Sequence, residues 1–248
     1  MLFRSDHGRV STPTEPTGPP LQEQDLESPS LARVDELLKG GDAIGADLVL
    51  RRWDHANGSD APEASLLRVR VAMARSDAVR IAESTAVQLR RTPARPDLRL
   101  ARVQATYVLG RLDDALEAVQ SIRIPPSHPL TDQVRWWHAR ILVRSRRFEE
   151  ARAVLLALAA MPKAKPIAET LLGEIEMLEG DLASARRRLE SVLGDESADT
   201  RARREAAFTL ARVCDRLGDP DAAFTAASAG HALRPASFDP DAHDRMID

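Results

Sequence analysis

Small and apolar side chains recur in a fixed pattern along the chain from about Glu27 onward. Six ten-residue blocks carry it, each opening with a small or polar residue and placing a small or branched residue five positions later: GDAIGADLVL from Gly41, SDAVRIAEST from Ser76, GRLDDALEAV from Gly110, RRFEEARAVL from Arg146, GDLASARRRL from Gly180 and GDPDAAFTAA from Gly218. Successive blocks begin 35, 34, 36, 34 and 38 residues apart. A period near 34 residues predicts stacked helix-turn-helix units.

Short side chains mark a predicted helix crossing within each unit. If each block begins at position 15 of a 34-residue unit, position 20 is alanine in five of six units: Ala46, Ile81, Ala115, Ala151, Ala185 and Ala223. Position 8 is also small, at Val34, Val69, Val103, Ala139, Gly173 and Ala211. Because helix axes approach closely only over short side chains, these positions predict where the second helix of a unit crosses the first. Position 24 is mostly apolar and is expected to fill the layer beneath the next unit.

Prolines and a change in composition set the predicted domain boundaries. Residues 1–26 contain four prolines among Ser, Thr and Gly with no apolar periodicity, which predicts a disordered Pro-rich tail. The helical repeats are expected over 27–237, with prolines just after the second helices at Pro93, Pro125, Pro126, Pro162 and Pro235. Asp239 and Pro240 form a helix-start signal, so 238–248 are predicted to form a capping or linker helix.

Composition narrows the class of protein. The 248 residues are 43% hydrophobic and only 4% aromatic, and alanine, leucine and arginine dominate, which favours an all-α fold. The net charge of -3 gives no general attraction to nucleic acid or to anionic membranes, and no apolar run is long enough to span a bilayer. The single cysteine and the absence of a secretory signal favour a cytoplasmic protein.

The sequence contains none of the common catalytic or nucleotide-binding motifs. Phosphate-binding loops, H-E-x-x-H pairs and G-x-S-x-G elbows are absent, and the six histidines are scattered. We therefore expect no enzymatic activity, no cofactor and no metal. Cys214 is expected to be a small buried residue. Consecutive arginines at 186–188 could hold phosphates, but interleaved acidic residues favour a solvated face with local ion pairs.

The repeats resemble the tetratricopeptide repeat, most closely in the last unit. There Ala211, Gly218, Ala223 and Pro235 match the small, turn, small and terminating positions of that motif. The resemblance implies a right-handed α-solenoid of about six helix pairs whose first helices line a concave groove. The chain departs from the motif at position 4, where the family favours a bulky aromatic residue and this sequence has Arg99 and Arg135.

The resemblance also implies which side chains point into the groove, at positions 2, 5, 9 and 12. Arginine and aromatic residues most often carry the binding energy of interfaces, so a protein or peptide partner is expected to contact side chains of these kinds. The candidates are Arg70, Gln104, Tyr107, Trp136, Arg140, Glu174, Phe208 and Arg212. An alternative for Tyr107 and Trp136 is packing between neighbouring units.

A second resemblance lies at the carboxyl end. The last 39 residues, from Leu210, are similar to the final repeat and linker that precede the catalytic domain of bacterial sulfotransferases with tetratricopeptide repeats. This resemblance implies the alternative that the chain is the helical part of an enzyme that uses the sulfuryl donor PAPS. The leading prediction is a non-enzymatic scaffold that binds a segment of another protein.

Overall fold

The computed structural model describes residues 19, 21–59 and 61–233. Over these residues the fold is all-α: thirteen α-helices and one 3-10 turn at Pro62–Ala64, with no strand. The helices are α1 Glu23–Glu27, α2 Leu31–Lys39, α3 Ala43–Asn57, α4 Ser65–Ala74, α5 Ala78–Arg91, α6 Pro96–Val108, α7 Leu112–Gln120, α8 Thr131–Arg144, α9 Phe148–Ala159, α10 Lys165–Glu179, α11 Leu182–Gly194, α12 Thr200–Arg216 and α13 Pro220–Ala232.

The helices from α2 to α13 form six consecutive pairs, as the repeat predicts. Position 15 of every unit links the two helices of its pair and has a positive φ angle. Glycine, which adopts this left-handed conformation without steric cost, stands there at Gly41, Gly110, Gly180 and Gly218. Ser76 and Arg146 adopt it with φ of 54° and 57°. The residue that opens each block is therefore the helix-ending residue of a tight turn.

An aspartate that follows this turn caps the second helix in four pairs. The side chains of Asp42, Asp77, Asp181 and Asp219 each accept a hydrogen bond from the backbone N–H three residues later, at 2.7 to 3.1 Å. The cap satisfies a helix N–H group that has no partner within the helix. Turn and cap together explain the recurring G-D sequence.

The described residues divide into two compact units, one ending at Trp137 and the other beginning at His138. In the first unit, Val34 and Leu37 of α2 pack with Ala46 and Leu50 of α3, and all four are almost completely buried. These include positions 8, 20 and 24 of the first pair. The short and apolar positions of the repeat therefore form the core, as expected.

The second unit has the same kind of core, built from α10 to α13. Ala185 and Leu189 of α11 are fully buried and pack with Ala206 and Val213 of α12. Gly173 of α10 lies against Leu189, and a methyl group added to Gly173 would come within 2.9 Å of the Leu189 Cγ atom. Position 8 is small here because position 24 of the same pair occupies the space beside it.

Described helical structure begins before the boundary predicted at residue 26. Helix α1 spans that boundary, and Leu21 and Leu26 pack against the core of the first unit. Asp25 also pairs with Arg33 of α2, whose Nε donates to its carboxylate at 3.0 Å. Residues 1–18 and the predicted helix at 238–248 lie outside the described residues.

Candidate functional site

The first helices of successive pairs bring their position 9 side chains together. In the first unit, Arg70 of α4 pairs with Asp35 of α2, which is position 9 of the first pair. In the second unit, Arg212 of α12 pairs with Glu174 of α10, with 3.3 Å between Nη2 and Oε1. The predicted residues Arg70 and Arg212 thus each bind a carboxylate on the preceding first helix of their own unit.

Arg140 makes a longer connection within the second unit. Its Nη1 lies 3.4 Å from Oε2 of Glu205, at position 2 of α12. Arg140 belongs to α8 and Glu205 to α12, so the contact joins the first helices that precede and follow α10 in the series of first helices. We call the surface formed by Asp35, Arg70, Arg140, Glu174, Glu205 and Arg212, considered separately in each unit, the first-helix charge ladder.

The arginines of the ladder are partly exposed, and the contacts of Asp35 favour its charged form. Hydrogen bonds from Lys39 and Arg70 hold the pKa of the Asp35 carboxyl below its usual range. The Arg70 and Arg140 side chains are each 31% exposed, and that of Arg212 is 55% exposed. Ion pairs exposed in this way contribute only about 0–1 kcal/mol each, so an incoming carboxylate or carbonyl group could replace an internal partner at little cost.

The aromatic candidates of the first unit pack against each other. The rings of Tyr107 and Trp137 lie 5.3 Å apart and those of Trp136 and Trp137 4.7 Å apart, both edge to face. Trp136 is only 8% exposed and Trp137 only 4%. Trp136 is thus a packing residue, the alternative considered from the sequence, whereas Tyr107 is half-buried. Trp137 was not predicted from the sequence, although its position next to Trp136 indicates an aromatic cluster.

Gln104 lies one turn before Tyr107 on α6 and is half-buried. Its side-chain Nε2 is buried and has no hydrogen-bond partner among the described residues. A buried N–H donor without an acceptor is unfavourable by about 1–3 kcal/mol. An acceptor from a bound segment or a water molecule would remove that cost. Gln104 therefore remains a candidate contact.

Phe208 of α12 is covered by the last helix. Its ring lies 5.1 Å from the ring of His231, edge to face, and Gly230 approaches so closely that an added methyl group would be 3.1 Å from the Phe208 Cζ. The guanidinium of Arg204 lies 5.5 Å from the Phe208 ring centre. Phe208 thus packs α13 onto α12, and only part of its ring is exposed.

The part of the chain that the structure describes offers no metal site, and its one cysteine is buried. No group of three or more His, Cys, Asp or Glu side chains there could hold a metal ion. Cys214 is 1% exposed, and burial raises the pKa of its thiol, which disfavours the reactive thiolate. No helix among the described residues is long and apolar enough to cross a membrane.

The arginine run of α11 makes the local ion pairs that its acidic neighbours predict. Arg186 pairs with Glu190 one turn later, at 2.8 Å. Arg188 pairs with Glu176 of α10 at 2.7 Å.

Comparison with known proteins supports the fold. No protein-family model matches the sequence, and no curated protein does. The chain is similar to the crystal structure of PilW, a widely conserved type IV pilus biogenesis factor, with a TM-score of 0.57 and 17% sequence identity over 87% of this chain and 96% of that chain. At this identity the likeness concerns the fold alone. Together with the six helix pairs, it shows a tetratricopeptide-like helical repeat protein.

Proposed function

We propose that this protein is a non-enzymatic, cytoplasmic scaffold that binds a segment of a partner protein on the surface of its first helices. The observation that carries the proposal is the first-helix charge ladder. Five of its six side chains stand at position 9 of their units and Glu205 stands at position 2, and all six remain partly exposed. Side chains that stabilise the fold little and face solvent are available for recognition.

The chemistry of the ladder suits a polar, extended segment. Arg70 and Arg212 offer guanidinium donors for backbone carbonyl or carboxylate groups, and Asp35 and Glu174 offer acceptors for backbone N–H groups or basic side chains. Gln104 adds a buried donor without a partner among the described residues. Asp35 and Arg70 in the first unit, and Glu174 and Arg212 in the second, each place an acceptor beside a donor on neighbouring first helices, so a segment that offers both donors and acceptors would suit either pair.

Site-specific photo-crosslinking tests which surface the partner uses. A photoreactive amino acid replaces Leu66, which is 37% exposed on the first helix α4, or Ile44, which is 65% exposed on the second helix α3. We expect a crosslinked partner from position 66 and none from position 44. Crosslinking from position 44 alone would place the partner on the second helices and refute the proposal.

Charge exchange tests whether the partner contacts the ladder directly. Arg212→Glu places two carboxylates together, whereas Arg212→Glu combined with Glu174→Arg restores an ion pair with its charges exchanged. We expect both variants to bind the crosslinked partner about 10-fold more weakly, since a charge-assisted hydrogen bond of about 1.5–3 kcal/mol is lost in each. If the exchanged pair restores binding, the ladder acts only within the fold.

The alternative function, the helical part of a PAPS-dependent sulfotransferase, stays a prediction. Part of the resemblance behind it lies after Leu233, outside the described residues.

A further inference from the structure

A cleft of about 920 Å³ opens in the second unit, and none of the eight predicted groove residues lines it. Its walls come from the loop between α9 and α10, from α10 and α11, and from the loop between α11 and α12. This volume lies within the range of about 300–1,000 Å³ typical of ligand sites. The cleft is therefore a surface distinct from the first-helix charge ladder.

Two of the four carboxylates in the cleft are held by an arginine. Glu169 and Glu176 of α10 both accept hydrogen bonds from Arg188 of α11, with 2.7 Å from Arg188 Nη2 to Glu176. Arg188 uses its Nε and both terminal nitrogens in these contacts. Arg188 and the two glutamates thus satisfy each other by hydrogen bonds.

The other two carboxylates accept hydrogen bonds from the loop that contains them and from the helix that follows. Asp195 accepts from the backbone N–H of Ser197 at 3.0 Å and from its hydroxyl at 2.6 Å. Asp199 caps α12 and accepts from the N–H of Ala202 at 2.9 Å. These bonds hold the acceptors of the cleft in intramolecular contacts.

Three cations of the cleft are engaged differently. Across the described ranges, Lys163, Lys165 and Arg187 form no ion pair, and Arg187 donates only to the Ser184 hydroxyl, at 3.1 Å. All three are exposed. The formal charges of the cleft balance, but its carboxylates accept hydrogen bonds within the fold, whereas the described residues give the two lysines no acceptor and Arg187 only the Ser184 hydroxyl. The hydrogen-bonding capacity left for a ligand is therefore that of donors.

The start of α10 adds to the positive side of the cleft. This fifteen-residue helix begins beside Lys163 and Lys165, and no side chain caps it at Ala164. The amino end of a helix carries a partial positive charge that favours anions. Helix end and lysines thus act in the same direction.

The corresponding cleft of the third pair differs in the state of its carboxylates. It holds about 300 Å³ and is lined by Arg99 and Arg102 of α6 and by Asp114 and Glu117 of α7. In this stretch of the described chain, neither Asp114 nor Glu117 forms an ion pair, whereas Arg99 donates to the Pro93 carbonyl. Carboxylates that accept no hydrogen bond from the described residues are thus found in the third-pair cleft and not in the fifth-pair cleft, so only the third-pair cleft would oppose an acidic ligand with unpaired carboxylates.

We propose that the cleft between α10 and α11 binds an acidic peptide segment of a partner protein through Lys163, Lys165 and Arg187. The cleft is much larger than one carboxylate or phosphate group requires. No aromatic side chain lines it, so nothing there would stack on a nucleobase. Several acidic side chains on one extended segment match both its size and its three dispersed cations.

The test measures binding of a fluorescent hexaglutamate peptide to the full chain by anisotropy, at low and at physiological salt. We expect saturable binding that weakens with salt. Arg187→Glu should weaken it about 10-fold or more, and Arg187→Lys less. The matched control is Arg102→Glu in the third-pair cleft, which changes net charge equally and should leave affinity within about 2-fold. Circular dichroism verifies that each variant is folded.

Three results would overturn the proposal. The first is absence of peptide binding at low salt. The second is an equal loss of affinity in the Arg187→Glu and Arg102→Glu variants. The third is binding of inorganic tripolyphosphate that Arg187→Glu abolishes, without binding of the peptide. The last result would assign the cleft to a free phosphate ligand. The crosslinking at Leu66 is independent of this cleft, so failure here leaves the proposed function standing.

Discussion

Gly173→Ala should destabilise the protein although alanine is the better helix former. In the interior of α10 the substitution favours the helix by about 1 kcal/mol. The added methyl group, however, would lie 2.9 Å from Cγ and 3.0 Å from Cδ2 of Leu189, which is fully buried. Carbon atoms prefer about 3.5–4.0 Å, and overpacking a core costs about 1–3 kcal/mol. We expect a net loss of up to about 2 kcal/mol.

Gly194→Ala is the matched control. Gly194 ends α11, and nothing lies within 4 Å of an added methyl group there. The control should be neutral or stabilising by up to about 1 kcal/mol. Urea unfolding followed by circular dichroism measures both variants. With a slope of about 2 kcal/mol/M, Gly173→Ala should lower the midpoint by up to about 1 M.

Crowding between position 173 and Leu189 has a second consequence. In a Leu189→Ala background the methyl group has space, so Gly173→Ala should become neutral or stabilising there. If Gly173→Ala stabilises the wild-type protein as much as Gly194→Ala does, the close approach of α10 and α11 is not what keeps position 8 small.

Two further predictions concern the turns and a buried carboxylate. Arg146→Gly should raise the free energy of unfolding by about 0.5–1 kcal/mol, because Arg146 holds a left-handed conformation with φ of 57°. Gly180→Ala should lower the free energy of unfolding, because alanine would have to adopt the same left-handed conformation. Urea unfolding measures both variants, and equal effects would contradict this reasoning. Burial would raise the pKa of Asp47, but hydrogen bonds from Arg80 and Arg51 outweigh it and hold that pKa below its usual range. Asp47 therefore stabilises the fold above about pH 4 and loses this effect as pH falls through its lowered pKa. Asp47→Asn should cost about 1–3 kcal/mol at pH 7 and little in strong acid, and a pH-independent difference in melting would refute the assignment.

The repeat could be predicted from the sequence because its positions act locally. Gly180 opens its block because the turn needs a positive φ angle, and Ala185 is small because it is fully buried at a crossing of two helices. The positive φ angle recurs in all six units and full burial of position 20 recurs in four of them, at Ala46, Ala115, Ala151 and Ala185, so the copies reinforce one weak signal. The amino boundary was harder to predict, because α1 depends on Leu21 and Leu26 meeting a core that lies elsewhere in the chain.

Pairing within the candidate site was less predictable, because it depends on which helices adjoin. Arg70 and Arg212 were expected to reach towards a partner, yet each is paired with the preceding first helix. Asp35 was the missed signal, since it gives position 9 of the first pair a charge opposite to Arg70. To predict which side chains can reach a partner, the residues at one repeat position must therefore be compared between adjacent units.

The repeat separates side chains that build the fold from side chains that are open to recognition. Leu50, Ala185 and Leu189, at positions 20 and 24, are completely buried, so changes there alter stability. Arg70 and Arg212, at position 9, keep 31% and 55% of their side chains exposed and form pairs of low energetic weight. Binding should therefore change through position 9 without unfolding the chain, which is why exchanging Arg212 and Glu174 distinguishes contact with a partner from support of the stack.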